Sequence, residues 1–448
     1  MTSSTRERGA PRNRGSSFPS LLAHGYNAAE YRQRKERKQA LDHPKRDDIN
    51  FLDGQFYVDP YEAFDWLRAR APVYWDEDSK LWGVTRHEDI MFVSKNMPIF
   101  CSGGHTGKIS SSRPFSPPIP SMINMDDPVH KRRRNLVNRG FTPRMVAMQE
   151  DKIRSICVDL IDRVIERGEC DFVRDIAAPL PLIVIGDMLG VKEEDRDDLL
   201  RWSDDMLKAL SSTVTPELAA AAGRAGEEYS RYCAEVVADR RAKPMQDDLM
   251  SILVHSEVDG EKLDDLALQM ESLLILVGGD ETTRHVITGG MRALIENPEQ
   301  RQLLVDDPGK IKAGVEEMLR WVTPIQNMCR TATRDVELNG QAIREGDQLL
   351  LMYPSGNRDD SVFDDPYRFD VQRAPNDHVA FGGYGTHFCL GAPLARLELN
   401  VMFQELMKRL PDLEITPGAE LPIRPSNFIV GIEEMSVRFA PRAPEAAA

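Results

Sequence analysis

The sequence lacks any apolar run close to the roughly 18 residues that a membrane-spanning helix needs. Its longest runs are short, such as Leu273 to Val277. It also lacks a CxxC pair: Cys101, Cys157, Cys170, Cys233, Cys329 and Cys389 stand far apart. That spacing excludes a zinc module and a disulfide framework, and it points to a reducing compartment and a cytosolic protein. Basic charge is in deficit. With 57 Lys and Arg against 72 Asp and Glu the formal net charge is −15. Nucleic acid is thereby excluded as the main partner, because phosphate binding needs a basic surface. No glycine-rich dinucleotide or flavin fingerprint is present, so the chain cannot take hydride from a nicotinamide by itself. Internal repeats are absent.

What remains is an ordinary globular composition, 41% hydrophobic and 29% charged, over 448 residues. Residues 1–48 stand apart. They are rich in Arg, Ser and Lys, as in Arg32-Gln33-Arg34-Lys35-Glu36-Arg37-Lys38, and poor in large apolar residues. Such a segment buries too little surface to offset its ordering entropy, so it reads as a flexible extension. Its Arg and Ser also suit a transit peptide, but no apolar stretch suits a secretory signal.

Beyond residue 50, Val73-Tyr74-Trp75 and Leu81-Trp82-Gly83-Val84 predict strands, and Cys101 to Pro120, dense in Gly, Ser and Pro, predicts a long loop. Pro128 suits the first turn of a helix capped by Asp126-Asp127. Apolar spacing then predicts helices over 146–167, 194–211, 216–242, 262–295, 309–321 and 391–409, with short strands at Glu337-Leu338 and Leu349 to Met352. The reading is one mainly helical domain over 49–442 with a minor, mostly antiparallel β component, followed by a tail at 443–448.

Four patterns carry chemistry. The first is Phe381-Gly382-Gly383-Tyr384-Gly385-Thr386-His387-Phe388-Cys389-Leu390-Gly391. Glycines before a cysteine let the chain turn tightly and bring N–H groups towards the sulfur. A helix starting just after Cys389 favours the thiolate with its dipole, and Gly391 leaves room for a flat cofactor. The second is Gly278-Gly279-Asp280-Glu281-Thr282-Thr283 within an apolar helical run. Each glycine there costs about 1 kcal/mol relative to Ala, which a helix tolerates where it bends or is closely approached. An acid beside a hydroxyl is what proton delivery to a buried oxidant requires. Alone, the same residues would also suit a polar turn between two helices. The third is Glu317-Met318-Leu319-Arg320, whose ends share a helix face. The fourth is His130 with Arg134, one turn apart, beside the basic residues Lys131, Arg132 and Arg133.

Taken together and in this order, these patterns resemble the cytochromes P450, haem-thiolate monooxygenases of mainly α, single-domain fold. The resemblance implies a haem b cofactor with Cys389 as axial thiolate ligand of its iron and Gly391 beside it. It implies that His130, Arg134, Arg330 and His387 bind haem propionates, and that Glu281 and Thr282 are the acid–alcohol pair of proton delivery. Glu317 and Arg320 are implied as a buried structural pair, with Arg368 of Pro366-Tyr367-Arg368-Phe369 as its third member. The basic cluster is either a solvated face or a docking surface for an acidic ferredoxin, since relatives of this type draw electrons from a ferredoxin and its reductase. One departure stands out: Phe381 lies eight residues before Cys389, and Gly382 holds the place seven before, where the aromatic is commoner. Met125 to His130, Leu136 to Thr142, Glu169 to Asp175, Gly278 to His285 and Asn327 to Arg330 resemble bacterial steroid side-chain hydroxylases, which oxidise the terminal methyl of cholesterol or cholest-4-en-3-one. Hydroxylation of methyl-branched or other lipids, and haem binding without turnover, are the alternatives. Met122, Leu274, Val277, Gly278, Ile325 and Phe428 are the expected pocket walls from their places relative to the motifs.

Overall fold

The computed structural model describes residues 45–103, 113, 120–209, 214–257 and 260–444. The readings of 1–48 as an extension, of 443–448 as a tail and of 101–120 as a loop fall largely outside these residues. The longer helices are α1 (Tyr61–Arg70), α2 (His87–Lys95), α3 (Val129–Val137), α4 (Glu150–Ile165), α5 (Pro179–Met188), α6 (Arg196–Lys208), α7 (Pro216–Arg241), α8 (Asp265–Glu296), α9 (Pro298–Asp306), α10 (Ile311–Val322) and α11 (Ala392–Arg409). The predicted helices fall on α4, α6, α7, α8, α10 and α11. Among those not anticipated is α5, Pro-Leu-Pro-Leu-Ile-Val-Ile-Gly-Asp-Met, which is apolar on nearly all sides and buried. A helix apolar all round has no 3.6-residue period to read.

Sheet structure is minor. The largest sheet has the order β1-β2-β8-β5-β3, from Val73–Asp76, Leu81–Val84, Gln348–Met352, Asn327–Ala332 and Phe100–Cys101. Its pairings are antiparallel except that of β2 with β8. Every residue of β1, β2 and β8 is buried, as their Val, Leu and aromatic content favours. Two smaller sheets complete the β component, β4-β10-β9 (Glu169–Asp171, Ser436–Arg438, Glu414–Ile415) and the hairpin β6-β7 (Val336–Leu338, Gln341–Ile343). At the start of α3 one of the two expected carboxylates caps the helix: Asp127 accepts from the Lys131 N–H at 3.0 Å. Asp126 instead accepts from the N–H groups of Ser102 and Gly103 at 2.8 and 2.7 Å, which ties β3 to the entry of α3.

Helix α8 is the centre of the molecule. Asp264 caps it through the Ala267 N–H at 2.7 Å, and it then runs unbroken past Gly278-Gly279, so these residues form no turn between two helices. A Cβ at Gly279 would lie 3.2 Å from Ile185 of α5, so the second glycine permits close packing of α5 on α8. A Cβ at Gly278 would meet nothing within 4 Å.

The buried ion pair on α10 organises the segment leading to the cysteine loop. Glu317 and Arg320 are both fully buried, with Arg320 Nη2 2.7 Å and Nε 2.8 Å from the carboxylate. Arg320 also donates to the carbonyls of Asn357, Pro366 and Arg368 at 2.8, 2.9 and 3.2 Å. Glu317 accepts further from the Asp370 N–H at 2.9 Å and from Asn376 at 3.1 Å.

The third member of the group is Arg373, and the assignment of Arg368 is corrected. Arg373 Nε lies 3.2 Å from Glu317, whereas the Arg368 side chain is 62% exposed and reaches only Asp370, at 4.0 Å. Phe369 turns into the core and sends its neighbour outward, and the turn from Asp370 to Arg373 brings the second arginine back. Breaking a buried pair by removing one partner costs about 3–5 kcal/mol, while an exposed substitution stays within roughly 0.5 kcal/mol. Denaturant unfolding of the holoprotein is expected to show a loss of that larger order for Arg373→Ala and almost none for Arg368→Ala. Equal losses would return Arg368 to the group.

Candidate active site

Between α8 and α11 lies a cavity of about 400 Å³, and Cys389 opens onto it. The residue sits deep in the protein, and its exposed surface is cavity surface. The loop is built as its glycines require. Gly382 has φ +93°, and a Cβ at Gly385 would lie 1.9 Å from the Ser94 carbonyl oxygen. The Cys389 N–H donates to the Phe381 carbonyl at 3.0 Å. Gly382 absorbs the extra residue by its left-handed backbone, so the displaced Phe381 still closes the loop. Its ring packs edge-on to Phe388 at 6.3 Å and under the Arg396 guanidinium at 4.6 Å. Burial raises the Cys389 thiol pKa, and the N–H groups of Gly391 and Ala392 and the charge of Arg134 work against that rise. These N–H groups open α11, so the helix start offsets part of the cost that burial places on a thiolate.

Beside the loop stand His130, Arg134, Arg330 and His387, all lining the cavity. The imidazoles of His130 and His387 lie 4.1 Å apart. His387 donates to the Met125 carbonyl, and Nε2 of each imidazole is buried with no protein partner. Burial depresses both histidine pKa values, and Arg330 adds to the effect at His387. Arg134 ties α3 to the loop by donating to the carbonyls of Thr386 and Phe388 at 3.2 and 2.5 Å. Two arginines and two imidazoles with unspent nitrogens fit the carboxylates of a haem. A Cβ at Gly391 would meet nothing within 4 Å, which fits a flat group against the backbone. The residues therefore fit the group: Cys389 would hold its iron, and the two arginines and two imidazoles its propionates.

Thr282 lines the same cavity from α8, and its hydroxyl donates to the Gly278 carbonyl at 3.0 Å. Glu281, the preceding residue, is buried and accepts from Arg284 at 2.7 Å and Arg424 at 2.5 Å. Burial opposes its ionisation, but His285, Arg424 and Arg284 outweigh that and hold its pKa at about 2. Met122, Leu274, Val277, Gly278, Ile325 and Phe428 all reach the cavity. So do Ile185, Met206 and Val214, which sequence reasoning missed because only the fold brings α5 and α6 over the site. Of the basic cluster, Lys131 and Arg132 face solvent, while Arg133 turns inward to buried Glu271 at 3.3 Å.

A cysteine held at a helix start, with two arginines and two imidazoles lining the same apolar cavity, defines a haem-thiolate site. The family model "Cytochrome P450" matches residues 84–306 and 311–438. A steroid C26-monooxygenase of Mycobacterium tuberculosis is 48% identical over 89% of this chain and 98% of its own length. A methyl-branched lipid omega-hydroxylase of Mycobacterium bovis is 37% identical over 84% and 90%. Among solved structures, CYP109E1 of Bacillus megaterium in complex with testosterone superposes with TM-score 0.77 at 33% identity, covering 85% of this chain and 99% of that one. The bacillaene polyketide synthase cytochrome P450 PksS of Bacillus subtilis gives 0.80 at 32%, covering 88% and 100%. The chain belongs to the cytochrome P450 family and is a haem-thiolate monooxygenase. No helix among the described residues is long and apolar enough to cross a membrane.

Glu398 of α11 lines the cavity, and its Oε2 has no protein partner. Burial, reinforced by Asp280, pushes its pKa up to about 8. An acid whose pKa is raised on folding binds more protons folded than unfolded. Its stabilising contribution is therefore present in acid and lost as pH rises from the ordinary carboxyl range to about 8. Glu398→Gln keeps the neutral form at every pH. The drop in Tm between about pH 6 and about pH 9 is expected to be smaller in this variant than in the parent. An equal drop would mean that Glu398 is already ionised.

Proposed function

We propose that this chain hydroxylates the terminal methyl of a steroid side chain, that of cholesterol or cholest-4-en-3-one, with electrons from a ferredoxin and its reductase. The observation that carries the reading is the one cavity where Cys389, Thr282 and an apolar wall meet. The steroid relative's 48% identity over nearly its whole length supports the substrate class. The net reaction places one oxygen atom of dioxygen in a C–H bond and releases the other as water, consuming two electrons and two protons. When bound, the haem supplies dioxygen activation and C–H oxidation.

The chain supplies the rest. Cys389 holds the iron, and the two arginines and two imidazoles orient the cofactor by its carboxylates. Apolar side chains such as Leu274, Val277 and Phe428 exclude water and align a long apolar substrate. Thr282 Oγ1 can turn its proton from the Gly278 carbonyl to the cavity, and Glu281 connects that hydroxyl to water. Lys131 and Arg132 on α3 offer exposed positive charge to an acidic ferredoxin.

Cholest-4-en-3-one added to the oxidised holoprotein is expected to give a type I spectral shift, followed by a side-chain alcohol when surrogate ferredoxin and reductase are supplied. A shift with methyl-branched fatty acids and none with any sterol would transfer the assignment to lipid hydroxylation. Thr282→Ala is expected to keep its haem while product per NADH falls by roughly tenfold or more and peroxide release rises. Unchanged coupling would refute the proton-delivery role.

A further inference from the structure

Glu281 is gripped by more than its own helix. Its Oε1 accepts from Arg284 Nη2 at 2.7 Å and from Arg424 Nη1 at 2.5 Å, with His285 Nε2 at 3.7 Å. Its Oε2 is buried and has no protein partner. One oxygen is thus saturated by cations and the other is left for water, so what fixes the cations fixes the direction of Oε2. Arg424 is fixed by Glu433 at 2.9 Å. Arg284 is fixed from α6, because its Nη1 lies 3.5 Å from Asp204 Oδ1.

The same stretch of α6 makes a second contact with α8. Ser203, the residue before Asp204, donates its hydroxyl to Asp280 Oδ2 at 2.8 Å, with both residues buried. Two consecutive residues of α6 therefore hold two residues of α8 one turn apart. Met206, two positions further along α6, lines the cavity. The element that carries part of the cavity wall also carries the anion that shares the Arg284 charge with Glu281.

We propose that Asp204 and Arg284 are positioning residues for Glu281, through which the seating of α6 on α8 sets how firmly that carboxylate is held. This rests on the reading of Glu281 as the acid of the proton route. Asp204 draws part of the Arg284 charge away. Without it the whole guanidinium charge acts on Glu281, which then stays ionised more firmly and takes up a proton less readily. The charged groups facing Glu281 are Arg284 and His285 on its own helix with Asp280 beside it, Arg424 and Glu433 from the C-terminal segment, and Asp204 beyond Arg284 on α6.

The test uses holoprotein with cholest-4-en-3-one, surrogate ferredoxin and reductase. Product per NADH and the solvent isotope effect are measured for Asp204→Asn, Asp204→Glu, Glu281→Gln and Arg201→Ala. Arg201 lies on α6 but pairs with Asp198 and Glu228, away from α8. Asp204→Asn is expected to lower coupling by roughly two- to fivefold, the range of a partly exposed ion pair, and to enlarge the isotope effect. Asp204→Glu restores both, and Arg201→Ala behaves as the parent. Normal coupling in Asp204→Asn alongside uncoupled Glu281→Gln overturns the positioning role alone, as do equal losses in Asp204→Asn and Arg201→Ala. Normal coupling in Glu281→Gln overturns the underlying acid role.

Discussion

The Cys389 sulfur faces open space on one side and two peptide N–H groups on the other, and much of the fold exists to hold it so. Those N–H groups, of Gly391 and Ala392, are available because α11 starts there. The start of α11 is fixed in turn by a loop in which Gly382 takes a left-handed backbone and Gly385 passes against Ser94 with no room for a side chain. Burial alone would favour the neutral thiol. A thiolate is the better metal ligand, and the helix start and the nearby Arg134 offset part of what burial removes. The loop, α11 and α3 thus serve one electrostatic requirement.

Polar interactions buried elsewhere serve position more than stability. Glu317, Arg320 and Arg373 sit where their desolvation cost offsets most of their attraction. Arg320 alone reaches three backbone carbonyls on the way to the cysteine loop. Such a group specifies the path of a chain that forms little regular structure between β8 and α11. Around Glu281, likewise, Arg284, Arg424 and His285 converge on one carboxylate oxygen and leave the other unsatisfied. A half-spent buried carboxylate next to Thr282 is costly as architecture and useful as chemistry.

Much of this was legible in the sequence, for identifiable reasons. The cysteine loop declares itself because glycines are needed wherever backbone meets backbone or a flat group. Helix α8 is legible by its apolar period, with Gly278 and Thr282 marking where that period is interrupted for a site. The Glu317–Arg320 pair follows from helical spacing, but its third partner does not. Arg373 and Arg368 differ only in the turn between them, and no local rule says which faces inward. Helix α5 was hidden by being apolar all round. Met206 and Val214 join the wall only because the fold brings them over α8, a long-range fact with no local sign. The displaced Phe381, a departure from the commoner spacing, is reconciled by one glycine at φ +93°.

The central claim is that Cys389 ligates haem iron as a thiolate, and every other role follows from it. The carbon monoxide difference spectrum of the reduced holoprotein tests this most directly, read beside that of Cys389→Ala. The parent is expected to show the thiolate-type band and the variant to lose it. A band typical of histidine ligation in the parent, or the thiolate band surviving in the variant, would contradict the account.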